Sequence, residues 1–576
     1  MKTSKRQALE AIFPKLQKLL PHLSNANSGE AEAARQAINR LLASVKLDWH
    51  DLTTLLVSNE DSFLDMLNRL LAKDQDVLVK LGLAGAAFFC ATEGAFADVI
   101  VDGHRNTWPL SDSEFSDWLL HRFFIETRKV PGLGAMKQAI RTLSAYAKFD
   151  SPRHEVHLRA AKFGGKIYLD IGDTEWHVVE IDASGWRMIQ DSPVRFRRTA
   201  GMAALPLPER GGSIGQLRQL VNLSNDGFVL YFTWLLDAMC PGRPHPVLYL
   251  TGEEGSTKSS AAKIARSLID PNTVPLRNLP TTVHDLFVSA SGSAAMVFDN
   301  VSNISAAISD ALCQISSGSG FGTRKLYTDA AQTLISGHRP IILNGLLNVI
   351  NRSDLADRAV TIPMLRIASE QRCSEAELWS RFESQRSQIF GVLLDSMACG
   401  LRRLPHVRLQ RLPRMADYAL WSVACEAFAP GDFLAAFERA AAEANEAVAE
   451  SDPVVVAVAA FMVRRNSWDG TAAELLRELS RCDRTEAEPS TWQTWPHEPS
   501  SFGKRLRLGT PILRKIGVAV VIGKASNRSR TRTISLSKFE LSERLHQAAK
   551  PSDRSDGSDR SDGSRAVAKG PRVYGI

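Results

Sequence analysis

A strand, a glycine-containing loop and a helix in direct succession constrain the fold of this chain more than any other part of its sequence. The apolar run VLYL at 247–250 leads into the loop GEEGSTKS at 252–259, and the apolar spacing that follows predicts a helix at 260–269. The loop fits the pattern G-x-x-x-x-G-K-[ST], except that Thr257 stands where the second glycine is expected. A buried strand that passes directly into a helix is typical of a parallel sheet covered by helices. We therefore expect an α/β fold around this segment.

The loop has the chemistry of a phosphate site. Gly252 and Gly255 allow backbone N–H groups to turn inward, and the start of the helix adds positive potential. Lys258 can reach the β- and γ-phosphates of a nucleotide, and the Ser259 hydroxyl can ligate Mg²⁺. The alternative is a glycine-rich turn that contains a lysine by chance. The predicted ligands are ATP and Mg²⁺, and the predicted nucleotide-binding residues are Gly252, Gly255, Ser256, Thr257, Lys258, Ser259 and Ser260.

An acid at the end of an apolar strand is the second expected element of such a site. The segment AAMVFDN places Asp299 41 positions after Lys258, where it is predicted to hold Mg²⁺ together with Ser259. The next residue is Asn300, which cannot accept a proton from an attacking water. Either another residue is the base, with Asp310 and Glu254 as guesses, or ATP turnover is slow.

Three more polar residues are candidates for ATP hydrolysis. Asn344 ends the apolar strand PIILNGL, where its amide could orient the attacking water or contact the γ-phosphate; the alternative is an Asn-Gly turn that caps the strand. Arg352 and Arg358 come just after the presumed sheet, where an arginine could reach the γ-phosphate of a neighbouring subunit. For either arginine the alternative is a surface salt bridge.

Positive charge is concentrated near the C-terminal end of the chain. Residues 504–532 contain nine Lys or Arg residues and no acid. The segment predicts a helix followed by a two-stranded ribbon, which is typical of a winged helix whose wing, 524–532, contacts duplex phosphates. The alternative is a solvated basic face. The predicted DNA-binding residues here are Lys504, Arg505, Arg507, Lys524, Arg528, Arg530 and Arg532.

Composition excludes several classes of protein. The chain has 70 Lys and Arg against 63 Asp and Glu, and its seven cysteines are scattered without a C-x-x-C pair. Neither a disulfide framework nor a zinc site is therefore expected. The first residues are not followed by an apolar signal core, and no apolar run reaches the roughly 20 residues of a bilayer span. We expect a cytoplasmic protein with no membrane segment.

Changes in periodicity divide the chain into regions. The run LGLAGAAFFC at 81–90 predicts a buried helix, 113–149 two helices with a break at 131–134, 151–198 a small antiparallel unit, 205–212 a linker, and TVPL at 273–276 a strand. The predicted regions are a helical N-terminal region at 1–80, an α+β domain at 81–205, the α/β core at 206–368, a helical lid region at 369–450, the winged-helix-like domain at 451–545 and a disordered tail at 546–576.

The order of these motifs resembles the ATPase of phage and mobile-element primase-helicases, which is related to poxvirus-type primase-helicases and to the superfamily III branch of the AAA+ class. Between Asp299 and Asn344 lies SSGSGFGTRKLYTDAAQTLISGHRP at 316–340. The resemblance implies that Arg324, Lys325 and Tyr327 lie on a hairpin that projects into a central channel and grips a DNA strand. A flexible basic loop with an aromatic residue agrees with this role, and a solvated charged turn is the alternative.

The resemblance also implies an assembly. It predicts a P-loop AAA+ core at 206–368, ATP bound between the subunits of a homo-oligomeric ring, a hexamer, and single-stranded DNA in the channel. No primase centre is found, because Asp170 and Asp173 of DIGD lie where a strand meets a turn, so priming is expected to need a separate primase. The predicted function is an ATP-dependent DNA helicase or translocase in the replication of a phage or integrative mobile element. The alternative is a nucleotide-gated DNA-binding or loading protein with weak or no ATP turnover.

Overall fold

The structure is a computed structural model. It describes residues 8, 11–12, 15–16, 18–19, 28–50, 52, 73–318, 321–324, 332–335, 338–345, 349–350, 352–367, 373–425, 428–481, 495–523 and 532–538. The chain forms two compact units, one from residues 1–349 and 357–441 and the other from residues 350–356 and 442–576. Each unit is described by itself below.

Helices and strands alternate along most of the described chain. The helices are α1 (Ser28–Ser44), α2 (Asp74–Gly85), α3 (Ser113–Thr127), α4 (Leu133–Phe149), α5 (Ile214–Arg218), α6 (Asn225–Ala238), α7 (Lys258–Ile269), α8 (Val283–Ser291), α9 (Ala306–Ser317), α10 (Ser353–Ala356), α11 (Glu375–Arg403), α12 (Ala416–Ala424), α13 (Asp432–Ser451), α14 (Pro453–Val463), α15 (Ala472–Arg481) and α16 (Pro499–Lys515). The strands are β1 (Ala86–Ala91), β2 (Gly94–Val101), β3 (His104–Pro109), β4 (Val156–His157), β5 (Ala160–Phe163), β6 (Lys166–Asp170), β7 (Val178–Asp182), β8 (Gly185–Ile189), β9 (Arg195–Phe196), β10 (Val247–Thr251), β11 (Met296–Val301), β12 (Phe321–Arg324), β13 (Gln332–Ile335), β14 (Ile341–Gly345), β15 (Ala359–Pro363), β16 (Ser467–Thr471), β17 (Val518–Ile522) and β18 (Thr533–Lys538).

A four-stranded parallel sheet is the centre of the first unit, so the predicted α/β class is confirmed. Its strand order is β11-β14-β10-β15, and Tyr249 of β10 lies opposite Leu343 of β14 and Thr361 of β15. All five residues of β10 and all five of β14 are buried, so these two central strands are covered on both faces. The carboxyl ends of β10, β11 and β14 lie side by side at one edge of the sheet.

Two predictions about this sheet are wrong. Residues 273–276 do not form a strand, because the Asn272 side chain accepts the backbone N–H of Val274 in a turn and Pro275 has no N–H to donate. Arg277, the residue after this segment, forms a single isolated bridge to Phe298 of β11. The sheet also does not end with β14, since residues 359–363 add the strand β15 beside β10.

The region before the parallel sheet combines helices and antiparallel strands. Within the antiparallel unit predicted at 151–198, residues 160–189 form the antiparallel sheet β5-β6-β7-β8, whereas β4 and β9 pair with each other in parallel. The break between α3 and α4 is confirmed. The helix predicted at 81–90 is wrong beyond Gly85, because β1 begins at Ala86 and pairs with β2. A short apolar run without charges fits a buried helix and a buried strand equally well.

The segment 205–212, predicted as a linker, packs against α11 within the first unit. Leu205 and Pro206 are buried, and the backbone N–H of Glu209 donates to the Ser387 carbonyl of α11 at 3.0 Å. The strands β6 and β7 share one hydrophobic core with α6, α7 and α11, so the antiparallel unit and the parallel sheet are packed together.

The second unit contains the basic region. A helix (α16) followed by two antiparallel strands (β17 and β18) was predicted and is confirmed, but the sheet has a third strand, β16, in the order β16-β18-β17. Residues 524–531 of the predicted wing lie outside the described residues, as does the predicted disordered tail at 546–576. Among the described residues, no helix has the length and apolar character needed to span a bilayer.

Candidate nucleotide site

The loop 252–259, predicted to bind phosphate, has three residues with positive φ. They are Gly252 (+154°), Gly255 (+77°) and Thr257 (+65°). A Cβ at Gly252 would lie 3.2 Å from the Met364 carbonyl oxygen, so the close approach of the chain beyond β15 favours glycine there. Thr257 adopts the left-handed backbone that the expected glycine would adopt without strain. The departure from the sequence pattern therefore changes the residue but not the shape of the turn.

Lys258 is folded back over this loop. Its ammonium donates to the carbonyls of Gly252 at 2.8 Å and Glu253 at 2.7 Å. Burial lowers the pKa of Lys258, and the carboxylates of Glu254 and Asp299 act in the opposite direction. The loop thus holds a cation where the pattern predicts phosphate contacts.

Ser259 and Asp299 meet as the sequence predicts. The Ser259 hydroxyl donates to Asp299 Oδ1 at 2.9 Å. The pairing of β11 with β14 shifts register between Phe298 and Val301, and Asn300 adopts a φ of +52°, so the strand bulges next to the loop. The bulge brings the end of β11 to the first turn of α7. This hydroxyl and this carboxylate are oxygen ligands of the kind that Mg²⁺ prefers.

Asn344 completes a group of polar side chains at this edge of the sheet. It is 1% exposed, and its Oδ1 accepts the backbone N–H of Asn300 at 2.8 Å. Its Nδ2 has no hydrogen-bond partner within the described part of the chain. A buried amide donor without a partner is costly unless a ligand completes it. Lys258, Ser259, Asp299 and Asn344 are therefore brought together around three adjacent strand ends.

The guessed water-activating residues are not part of this group. Glu254 lies in the loop and is exposed, and Asp310 is exposed on α9. Asn300 is exposed too, and only its backbone N–H contacts Asn344. The described geometry singles out neither carboxylate as the base.

Arg358 lies at the opposite edge of the sheet. Its carbonyl accepts the backbone N–H of Val247 at 2.9 Å, so it stands at the amino ends of β10 and β15. A strand of five residues is about 16 Å long. Arg358 is therefore not brought to the loop 252–259 of its own chain. Arg358 precedes β15, so it does not follow the sheet as predicted. Arg352 belongs to the second unit.

Sequence reasoning missed Arg366. The chain beyond β15 runs beside the loop, where the Met364 N–H donates to the Thr251 carbonyl at 2.7 Å. Arg366 Nε lies 3.9 Å from Glu253 Oε2, and both side chains are exposed. The segment AVTIP is the strand β15. If it is recognised as a parallel strand beside β10, then Arg366, three residues beyond its end, is expected at this edge of the sheet.

The acids of DIGD are held by basic side chains. Arg198 donates to both carboxylate oxygens of Asp170, at 2.7 and 3.0 Å. Asp173 Oδ2 lies 2.5 Å from His177 Nδ1. Within the described residues, no group of three or more His, Cys, Asp or Glu residues could hold a metal ion. The interpretation of this pair as structural agrees with these contacts.

The predicted DNA-binding residues are described only in part. Arg324 ends β12, which pairs with β13 as an antiparallel hairpin, whereas Lys325 and Tyr327 lie outside the described residues. Lys504, Arg507 and Arg532 are exposed, but Arg505 Nε binds Asp452 Oδ2 at 3.2 Å. Outside the described residues are Lys524, Arg528 and Arg530.

Two family profiles match this chain. One, described as actinomycete integrative conjugative element replication protein, matches residues 214–446. The other, described as the C-terminal domain of the same replication protein, RepA, matches residues 454–552, and the two matches together span more than half of the chain. The chain belongs to this family of mobile-element replication proteins. The family assignment agrees with the mobile-element resemblance of its motifs.

Two solved structures have distant similarity to this replication protein. One, described as the A form apo structure of the NrS-1 C-terminal region, is 11% identical and covers 81% of this chain and 100% of that chain, with a TM-score of 0.37. The other, described as the active helicase SCCmec type IV Cch, is 11% identical and covers 79% of this chain and 94% of that chain, with a TM-score of 0.43. No curated protein sequence matches the chain.

Proposed function

We propose that this replication protein is an ATP-dependent DNA helicase or translocase that acts in the replication of an integrative mobile element or phage. The main support is the meeting of Ser259 and Asp299 at 2.9 Å beside the partly buried Lys258 and the unpartnered amide of Asn344. Phosphoryl transfer uses a cation, oxygen ligands for Mg²⁺ and a hydrogen-bond donor. These groups lie together where β10, β11 and β14 end.

Each of these residues has a role in the proposal. The loop N–H groups and Lys258 hold the phosphates, and Ser259 and Asp299 are the protein ligands of Mg²⁺. Asn344 donates to the attacking water or to the γ-phosphate. When bound, ATP with Mg²⁺ supplies the free energy of phosphoryl transfer to water. The core is then a P-loop AAA+ ATPase.

The proposed assembly is a homo-oligomeric ring, a hexamer. Because Arg358 lies at the sheet edge opposite its own loop, it is suited to a site on a neighbouring subunit, and Arg352 is the second candidate for that role. The hairpin residues Arg324, Lys325 and Tyr327 grip one DNA strand, and the winged-helix-like domain binds duplex phosphates. A separate primase supplies primers.

One observation favours a second candidate function, a nucleotide-gated DNA-binding or loading protein with weak turnover. Asn300 follows Asp299 at an exposed bulge, and its side chain cannot accept a proton from water. In this alternative ATP binding changes DNA affinity or assembly, and strand separation does not occur.

ATP hydrolysis with and without single-stranded DNA separates the two functions. For a helicase, we expect DNA to stimulate turnover in the wild type, and Asp299→Ala to lower the rate by roughly 100-fold. Asp191→Ala, which removes an exposed aspartate outside the site, is the matched control. Tight ATP binding with negligible turnover would favour the second candidate. Full activity of Asp299→Ala would show that the site is assigned wrongly.

A further inference from the structure

The helical hairpin α3–α4 ends in an exposed apolar surface. Val130 and Leu133 are 79% and 85% exposed, and Phe124 and Ile125 in the last turn of α3 are exposed as well. We call these four residues the apolar tip. Isolated exposed apolar side chains are common, but a group of them within ten residues is typical of a binding surface.

The hairpin that presents the apolar tip has an excess of positive charge. Between Asp117 and Asp150 the sequence has six Lys or Arg residues and one acid, Glu126, although the whole chain is nearly balanced at 70 to 63. All six cations are exposed, and none forms an ion pair with another described residue. They are Arg122, Arg128, Lys129, Lys137, Arg141 and Lys148. This charge complements a polyanion.

The turn that presents the tip is ordered. Arg128 ends α3 with a φ of +55°, and its N–H donates to the Phe124 carbonyl at 2.8 Å. The Lys129 N–H donates to the Thr127 hydroxyl at 3.2 Å, and Pro131 is buried. Both helices are anchored in one core through Phe115, Leu119, Phe123, Ala139, Leu143 and Ala147. Little ordering is therefore needed when a partner binds.

We propose that the apolar tip is a wedge that inserts at a DNA fork, between the last base pair and the first unpaired bases, while the cations next to it in sequence, Arg128, Lys129 and Lys137, bind the flanking phosphates. This inference rests on the proposed helicase function and adds to it the element that separates the strands. Apolar side chains inserted at a base step unstack it, and Lys and Arg neutralise phosphates. Phosphate binding alone needs no exposed leucine and valine.

A synthetic forked DNA with 2-aminopurine in the last base pair tests the wedge without ATP. The wild-type chain is expected to raise the fluorescence, because an unstacked 2-aminopurine is brighter. In Val130→Ser/Leu133→Ser the rise should fall by about ten-fold, while DNA-stimulated ATP hydrolysis stays within about two-fold of the wild type. Lys129→Gln/Lys137→Gln should weaken fork binding and reduce its salt dependence.

Phe149→Ser is the matched control. Phe149 is 82% exposed at the other end of α4, about 24 Å from Leu133 along the helix. It should leave the fluorescence rise unchanged, so a loss in both variants would overturn the wedge by pointing to a general effect on the hairpin.

The remaining outcomes separate the wedge from the motor. An unchanged fluorescence rise in Val130→Ser/Leu133→Ser overturns the wedge, even if DNA stimulates ATP hydrolysis. A wild-type rise that depends on the tip, without DNA-stimulated hydrolysis, supports the wedge and contradicts the motor. Binding to phosphatidylserine vesicles that depends on Val130 and Leu133, with no effect at the fork, would overturn the wedge and assign the tip to a membrane surface.

Discussion

Thr257 combines a β-branched side chain with a left-handed backbone in the loop 252–259, which we propose binds phosphate. Its φ of +65° costs a residue with a Cβ about 1–2 kcal/mol relative to an ordinary conformation. Thr257→Gly removes this strain, although glycine gains entropy in the unfolded chain. We expect the free energy of unfolding to rise by up to about 1 kcal/mol, measured by urea denaturation.

Thr142→Gly is the control for that substitution. Thr142 is exposed inside α4, where glycine costs about 0.5–1 kcal/mol relative to alanine and about 0.3 kcal/mol relative to threonine. The two threonine-to-glycine variants should therefore change stability in opposite directions. If Thr257→Gly destabilises the chain as much as Thr142→Gly does, the left-handed conformation of Thr257 is not a source of strain.

Other residues of the structure left no trace in the sequence. Arg159 is 2% exposed and donates to Asp270 Oδ1 at 3.2 Å, 111 positions away. Arg266 also lies 3.5 Å from this aspartate. Burial lowers the pKa of Arg159, and the charge of Asp270 acts in the opposite direction. Such pairs follow from tertiary packing, so local pattern reasoning could not find them.

At the scale of elements, Gly391 decides how closely α11 approaches its neighbour. A Cβ at Gly391 would overlap the Glu209 carbonyl oxygen of the segment 205–212. Backbone cannot give way as a flexible side chain can, so we expect Gly391→Ala to destabilise the chain by about 1–3 kcal/mol, although alanine is the better helix former. The shift in the thermal midpoint measures this cost.

Gly503→Ala provides the comparison for Gly391→Ala. Gly503 also lies inside a helix, α16, but a Cβ there would make an ordinary contact of 3.9 Å with the Ala472 Cβ. Helix propensity then dominates, and the variant should gain about 1 kcal/mol. A neutral or stabilising Gly391→Ala would contradict the close packing of 205–212 on α11.

Some elements could be predicted from the sequence and others could not, because the number of independent sequence signals differs between them. The strand–loop–helix at 247–269 combines an apolar run, a constrained loop and helical spacing, so three independent signals agreed. The run at 81–90 had only hydrophobicity, and TVPL at 273–276 had only β-branched residues around Pro275. Strand β15 was missed because it follows a segment with two arginines and two acids, and its parallel pairing with β10 is a long-range property.

At the scale of the whole molecule, the group of residues proposed as a nucleotide site could be predicted only in part. Lys258, Ser259, Asp299 and Asn344 were found because each ends or follows a strand, and strand ends of a parallel sheet share one edge. Arg366 was missed because β15 was missed. The place of Arg358 relative to a second subunit depends on assembly, so neither one sequence nor one chain determines it.

Subunit mixing tests whether Arg358 completes a site on another copy. Lys258→Ala and Arg358→Ala should each be inactive alone as ATPases. If Lys258 and Arg358 act on opposite sides of one interface, about a quarter of the interfaces in an equal mixture contain both native residues, and the ATP hydrolysis rate partly recovers. Because Arg358 lies about 16 Å along the sheet from its own loop, recovery is the expected result.

The negative pair for this experiment is Lys258→Ala with Asp299→Ala. Asp299 lies 2.9 Å from the Ser259 hydroxyl of its own chain, so every site in that mixture lacks one of the two residues and no activity should return. Nucleotide affinity of Arg358→Ala, measured directly, should equal that of the wild type because its loop is intact. Equal inactivity of both mixtures, with an active wild type, would place Arg358 outside the shared site and make Arg352 the next arginine to mix.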